Sequence, residues 1–250
     1  MNWGKLKSFL IILFLLINIF LIVSMIVTEK VKTTIPNETI QDTVNILKRN
    51  GILIEPSIID NTVKNVHDIT LKPITKSDNF TGKLIAGDLN TFEMNFSKKV
   101  SNTEEMKNIL SDASIKDYNV EKEFSDGFGT VLQKTGGYTI FDTLIEVESN
   151  GAGSRIMGEW YEVITKPKKD KNYDNIVILP SILINYISNK ERPVGEQKIT
   201  DIEYGYYVTN KNSDSVIYTA IPCWRIEVDN AMNFYYNARN GEYMDMLSFQ

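Results

Sequence analysis

The chain has 250 residues, of which 42% are hydrophobic and 24% charged, with a formal net charge of −5. An acidic balance argues against nucleic acid and against an anionic membrane surface as partners. Cys223 is the only cysteine, so an intrachain disulfide is excluded.

Phe9 to Val27 is a run of nineteen residues without a charge, interrupted only by Asn18 and Ser24. At about 1.5 Å per residue it makes a helix of roughly 28 Å, close to the ~30 Å hydrocarbon core of a bilayer, and it predicts a membrane span. Lys5 and Lys7 precede it and no acid does, which predicts a cytoplasmic N-terminus and an extracytoplasmic body from residue 28 to 250. A cleaved signal peptide is the alternative. The run exceeds the apolar region of about 7 to 15 residues typical of such peptides, and Ser24-Met25-Ile26 lacks the small residues of a cleavage site. Setting Lys5 and Lys7 aside leaves 25 basic residues against 32 acidic ones, a charge of −7 for the exported part. Ile11, Phe14, Asn18, Leu21 and Met25 recur at spacings of three and four, forming one stripe that could pack on another helix. An amide at the middle of the run seeks a hydrogen-bond partner, worth roughly 0.6 to 2 kcal/mol between membrane helices.

Thr28 to Pro36 reads as a polar tether. A helix begins at Asn37-Glu38-Thr39, carries Ile40, Val44 and Leu47 on one face, and ends at Asn50-Gly51. Ile52 to Ile59 and Ile69 to Ile74 read as extended segments broken by Pro56 and Pro73, and Thr91 to Phe96 alternates as a strand. Asn102 or Thr103, followed by Glu104 and Glu105, opens a second helix that runs to about Ala113. Gly129 to Gln133, Tyr138 to Glu148 and Ser154 to Ile164 are β-branched and aromatic, with a hairpin turn at Asn150-Gly151-Ala152-Gly153. Lys166 to Asp174 is a charged loop. Pro180 lies in the first turn of a helix whose Ile182, Leu183, Tyr186 and Ile187 share a face. Closing strands alternate at Ile202, Tyr204, Tyr206 and Val208 and again at Trp224, Ile226 and Val228, and Asn240-Gly241 marks a turn. This register sends Trp224, Ile226 and Val228 inward and Cys223, Arg225 and Glu227 outward, leaving Cys223 partly exposed unless a second layer covers that face.

The expected class is α+β, with one N-terminal transmembrane helix followed by two exported α+β subdomains with antiparallel sheets. The expected divisions are a cytoplasmic tail (1–8), the span (9–27), the tether (28–36), an N-terminal subdomain (37–118) and a C-terminal subdomain (119–250). Catalytic groupings are missing from the sequence. The only histidine is His67, no G-x-S-x-G elbow or phosphate-binding glycine loop occurs, and one His with one Cys is no zinc cluster. No catalytic residue, cofactor or metal is therefore expected. Glu159 and Glu162 would serve as a glycosidase pair only if they lined a cleft about 5 to 10 Å from another acid.

The start, Met1 to Lys7 leading into Asn18-Ile19-Phe20-Leu21, resembles the N-terminus of the YycI (WalI) family of Gram-positive bacteria. Glu203-Tyr204-Gly205-Tyr206-Tyr207, Ile221-Pro222-Cys223-Trp224-Arg225-Ile226 and Phe234 to Glu242 resemble that family's closing strands, and Gly136 to Asp142 fits as well. The closing segment is also similar to PepSY-type modules. This resemblance implies a non-enzymatic, membrane-embedded accessory protein of a WalK (YycG) sensor histidine kinase, acting with a YycH-type sister protein on cell-wall metabolism. The alternative is a PepSY-like exported protein that inhibits or escorts a wall hydrolase or protease by strand pairing.

Overall fold

A computed structural model of the chain describes residues 3–73, 83–84, 91–169, 176–209 and 217–248. The end of the strand expected to reach Ile74 and the charged loop beyond Lys169 lie outside the described residues.

Helix α1 (Trp3–Thr33) continues through most of the expected tether. After Gly4 no glycine or proline interrupts it before Pro36, which disfavours helical backbone at Ile35. Ile35 is buried and its N–H donates to the Asn61 carbonyl, so residues 34–36 are fastened to the body rather than free. Helix α2 (Asn37–Arg49) buries Ile40, Thr43 and Leu47 and stops where Gly51 adopts φ +75°, a conformation that glycine takes without cost. Strand β1 (Ile52–Ile54) and a 3-10 turn (Pro56–Ile58) follow, then β2 (Ile69–Pro73), β3 (Lys83–Leu84) and β4 (Thr91–Phe96). Helix α3 (Thr103–Asp112) is capped as its sequence suggests. The Asn102 side chain accepts from the Glu105 N–H at 2.9 Å, and the Glu105 carboxylate accepts from the Ser101 N–H and hydroxyl.

Four strands come next: β5 (Tyr118–Ser125), β6 (Phe128–Thr135), β7 (Tyr138–Asn150) and β8 (Gly153–Glu159), with β7 and β8 turning at Asn150–Gly153. After β9 (Tyr161–Val163) and helix α4 (Leu179–Ile187), the chain closes with β10 (Gln197–Thr209), β11 (Tyr218–Val228), β12 (Met232–Asn237) and β13 (Tyr243–Ser248).

All thirteen described strands belong to one sheet, with a main path β13-β12-β11-β10-β7-β8-β4-β3. It is mixed, because β1 pairs with β10 in parallel and β10 meets β7 in parallel at Tyr206 and Ile140. At that join the sheet doubles over. One half (β10 to β13 with β1, β2 and β9) is covered on its far face by α2 and α4, the other (β3 to β8) by α3. The two inner faces meet around Leu132, Phe141, Cys223 and Tyr235. Gly205 lies at the crossing, where a Cβ would collide with the Thr139 carbonyl oxygen and the Phe141 ring.

This corrects the expected α+β class with two separate antiparallel subdomains and a PepSY-like second one. Among the described residues strand outweighs helix, and the strands make one large mixed sheet. That sheet ignores the division at 118/119. Segments from the first half, β1, β2 and β4, pair with β10, β11 and β8 of the second. Local periodicity reports that a segment is a strand but not which distant strand it joins.

The transmembrane helix is corrected too. Among the described residues no helix is long and apolar enough to cross a membrane.

Candidate functional site

Two places in the molecule have the character of a functional surface. The first is the stripe on α1. Ile11, Phe14, Leu21 and Met25 are all exposed, at 65%, 69%, 57% and 73%, and no apolar side chain from Phe9 to Met25 is buried against the sheet. The Asn18 side-chain N–H donates to the Phe14 carbonyl at 2.8 Å, one turn back. Part of the amide's hydrogen-bonding demand is thus met within its own helix.

The second lies between the two sheet layers. Arg225 is 5% exposed on the inner face of β11. One end of its guanidinium bonds to Glu121 of β5. The other bonds to Glu203 of β10 at 2.8 Å, with Asp201 at 3.9 Å, while the carbon of the guanidinium lies 5.1 Å from the centre of the Phe141 ring. The other Glu203 oxygen accepts from the Thr139 hydroxyl at 2.5 Å, and Asn119, Thr139 and Lys134 extend the polar network towards the surface. Burial works against the Arg225 charge, but Glu121 and Glu203 hold it firmly protonated. Burial, reinforced by Glu203 and Glu227, raises the Glu121 carboxyl above its usual range despite Arg225. The Arg225 Nε and the Asn233 Oδ1 are buried with no hydrogen-bond partner.

A cavity of about 520 Å³ opens beside this network. Three carboxylates line it, Glu121, Glu146 and Glu227, together with Lys122, Phe128 and Asn233. Their positions follow from strand pairing. Glu227 faces Asn233 across β11 and β12, and Thr130 stands between Lys122 of β5 and Glu146 of β7. Residues two apart on a strand share a face, so Arg225 and Glu227 point the same way into the space between the sheets.

Other residues singled out from the sequence fall elsewhere. His67 is exposed, and its carbonyl accepts from the Tyr206 hydroxyl at 2.9 Å. Glu162 is exposed and paired in register with Lys72, Glu159 accepts from the Tyr161 hydroxyl at 3.2 Å, and neither lines a described cavity. Cys223 is fully buried because the second sheet layer covers it, and burial pushes its thiol up. The network of Arg225, Glu121 and Glu203 was not anticipated. Its one signal in the sequence is the Cys-Trp-Arg-Ile-Glu alternation, which puts two charges on a strand otherwise aromatic and aliphatic.

No family model matches the chain, and no curated protein matches it. Among solved structures it is similar to an uncharacterized protein from Eubacterium rectale, with 11% identity, a TM-score of 0.42, and coverage of 78% of this chain and 90% of that one.

Proposed function

We propose that this chain is a non-enzymatic regulator held on the extracytoplasmic face of the cell membrane, acting on a WalK/YycG-type sensor histidine kinase together with a YycH-type sister protein and so on cell-wall metabolism. The observation that carries the proposal is the uncovered apolar side of α1. A run of exposed aliphatic and aromatic side chains from Phe9 to Met25, interrupted only by Asn18 and Ser24, demands an apolar environment or partner that its own sheet does not supply. The stripe of Ile11, Phe14, Asn18, Leu21 and Met25 packs on apolar helices of the kinase and its sister, and the body adds contacts beside it. Resemblance at the N-terminus and the closing strands supports the choice of kinase family. Two-hybrid association and kinase output measured with Asn18→Leu test the stripe, and both change if it is the contact. A fragment from residue 30 onward loses most of the activity, and full activity in that fragment would refute regulation through α1.

One observation favours a second function. Among the described residues β13 pairs only with β12, leaving an open sheet edge to which an extended peptide could add. A protein that inhibits or escorts a wall hydrolase would use that edge, and the same fragment would then keep its full effect.

A further inference from the structure

We propose that the cavity between the two sheet layers binds an alkylammonium group, the cationic end of a small diamine or of a lysine side chain. This does not rest on the regulator proposal. The cavity has more acceptors than donors. Of its carboxylates, Glu121 already shares Arg225 with Glu203 and, more distantly, with Asp201, so the one guanidinium serves three acids. Among the described residues the Glu227 carboxylate accepts one hydroxyl hydrogen bond, from Thr200 at 3.1 Å, and Glu146 also lines the cavity. The cation already present, Lys122, lies with its Nζ 5.1 Å from the centre of the Phe128 ring.

Asn233 is an independent pointer to a ligand. It lines the cavity, is only 1% exposed, and its Oδ1 has no partner. A buried amide oxygen left unpaired costs free energy that a donor entering from the cavity would recover. An ammonium brings three donors and one positive charge, which matches an amide oxygen flanked by carboxylates on two walls. Phe128 and Leu144 supply apolar wall for a methylene stem, and about 520 Å³ accommodates one of several carbons. Among the described residues no three acids, histidines or cysteines gather tightly enough to hold a metal ion.

Isothermal titration of the full chain in detergent micelles at low salt, with cadaverine and with Nα-acetyl-lysine-N-methylamide, tests this. Saturable binding of either is expected, weakened about tenfold by Glu227→Gln and by Glu146→Gln, each of which keeps the shape of the side chain. Glu148→Gln, whose carboxylate faces Arg155 at 3.6 Å outside the cavity, should leave affinity unchanged. Tighter binding of cadaverine identifies a free diamine, and tighter binding of the lysine compound identifies a lysyl side chain. The proposal is overturned if neither compound binds the wild-type chain, if the Nε-acetylated lysine compound binds as well as the cationic one, or if both Gln variants, shown by thermal unfolding to be folded, bind like wild type.

Discussion

The two faces of strands β10 to β12 are made by alternating residues of the same segments, yet they are different materials. One face holds Trp224, Ile226 and Val228 with Tyr204 and Phe234, packed under α2 and α4, and each fully buried aliphatic there contributes roughly 1.5 to 3 kcal/mol before entropy. The other holds Cys223, Arg225, Glu227, Tyr235 and Asn233 and is covered by β6 and β7. Both faces are buried, so burial alone does not make a core. The first is closed by helices with continuous apolar faces, whereas the second is closed by a sheet that brings its own charges, Glu121 and Glu146. What results is a small apolar centre beside an ionic network and a cavity.

Truncation on either face should be the most damaging change, for opposite reasons. Trp224→Ala leaves a void beneath Tyr204, whose ring centre lies 4.9 Å away, and should cost about 3 to 5 kcal/mol in urea unfolding. Arg225→Ala removes a buried guanidinium from the half-buried carboxylates of Glu121 and Glu203 and should cost about 3 kcal/mol. The faces separate in how they are rescued. Arg225→Met combined with Glu121→Gln and Glu203→Gln should recover most of the loss, because a neutral cluster has no desolvation cost to offset. If that triple variant is as unstable as Arg225→Ala, charge does not distinguish the faces.

Cys223→Ser tests the apolar centre of the charged face. A hydroxyl placed where the thiol is fully buried among Leu132, Phe141 and Tyr235 should cost about 1 to 3 kcal/mol, and native Cys223 should react with a thiol reagent only at the rate of unfolding. Rapid labelling of the folded chain would show that β6 and β7 do not cover this face.

A smaller effect should appear in the pH dependence. The folded-state value of Glu121 lies above its ordinary 4.5, so its contribution is full below that value and is lost as pH rises through the raised one. Relative to Glu121→Gln, wild-type stability should therefore decline as pH rises above the ordinary 4.5 and through the raised value. A difference that grows with pH would mean that Arg225 outweighs burial. Smallest of all, Asn102→Ala at the cap of α3, outside both faces, should cost about 1 kcal/mol and leave the pH profile of unfolding unchanged.

The sequence by itself determined what depends on neighbours in the chain. Amphipathic spacing and caps placed α2, α3 and α4, the turn at Asn150–Gly153 placed a hairpin, and period-two alternation in Pro222 to Val228 set which way Trp224 points. Only the tertiary structure decided what depends on residues far apart. Arg225 meets Glu121 across 104 positions, and β1 and β10 pair in parallel over a separation that no local period reports. For the same reason the outward register of Cys223 and Arg225 was readable while their burial was not. Alternation fixes the side of a strand on which a residue stands, and what covers that side is set by how the sheet doubles over at Tyr206 and Ile140.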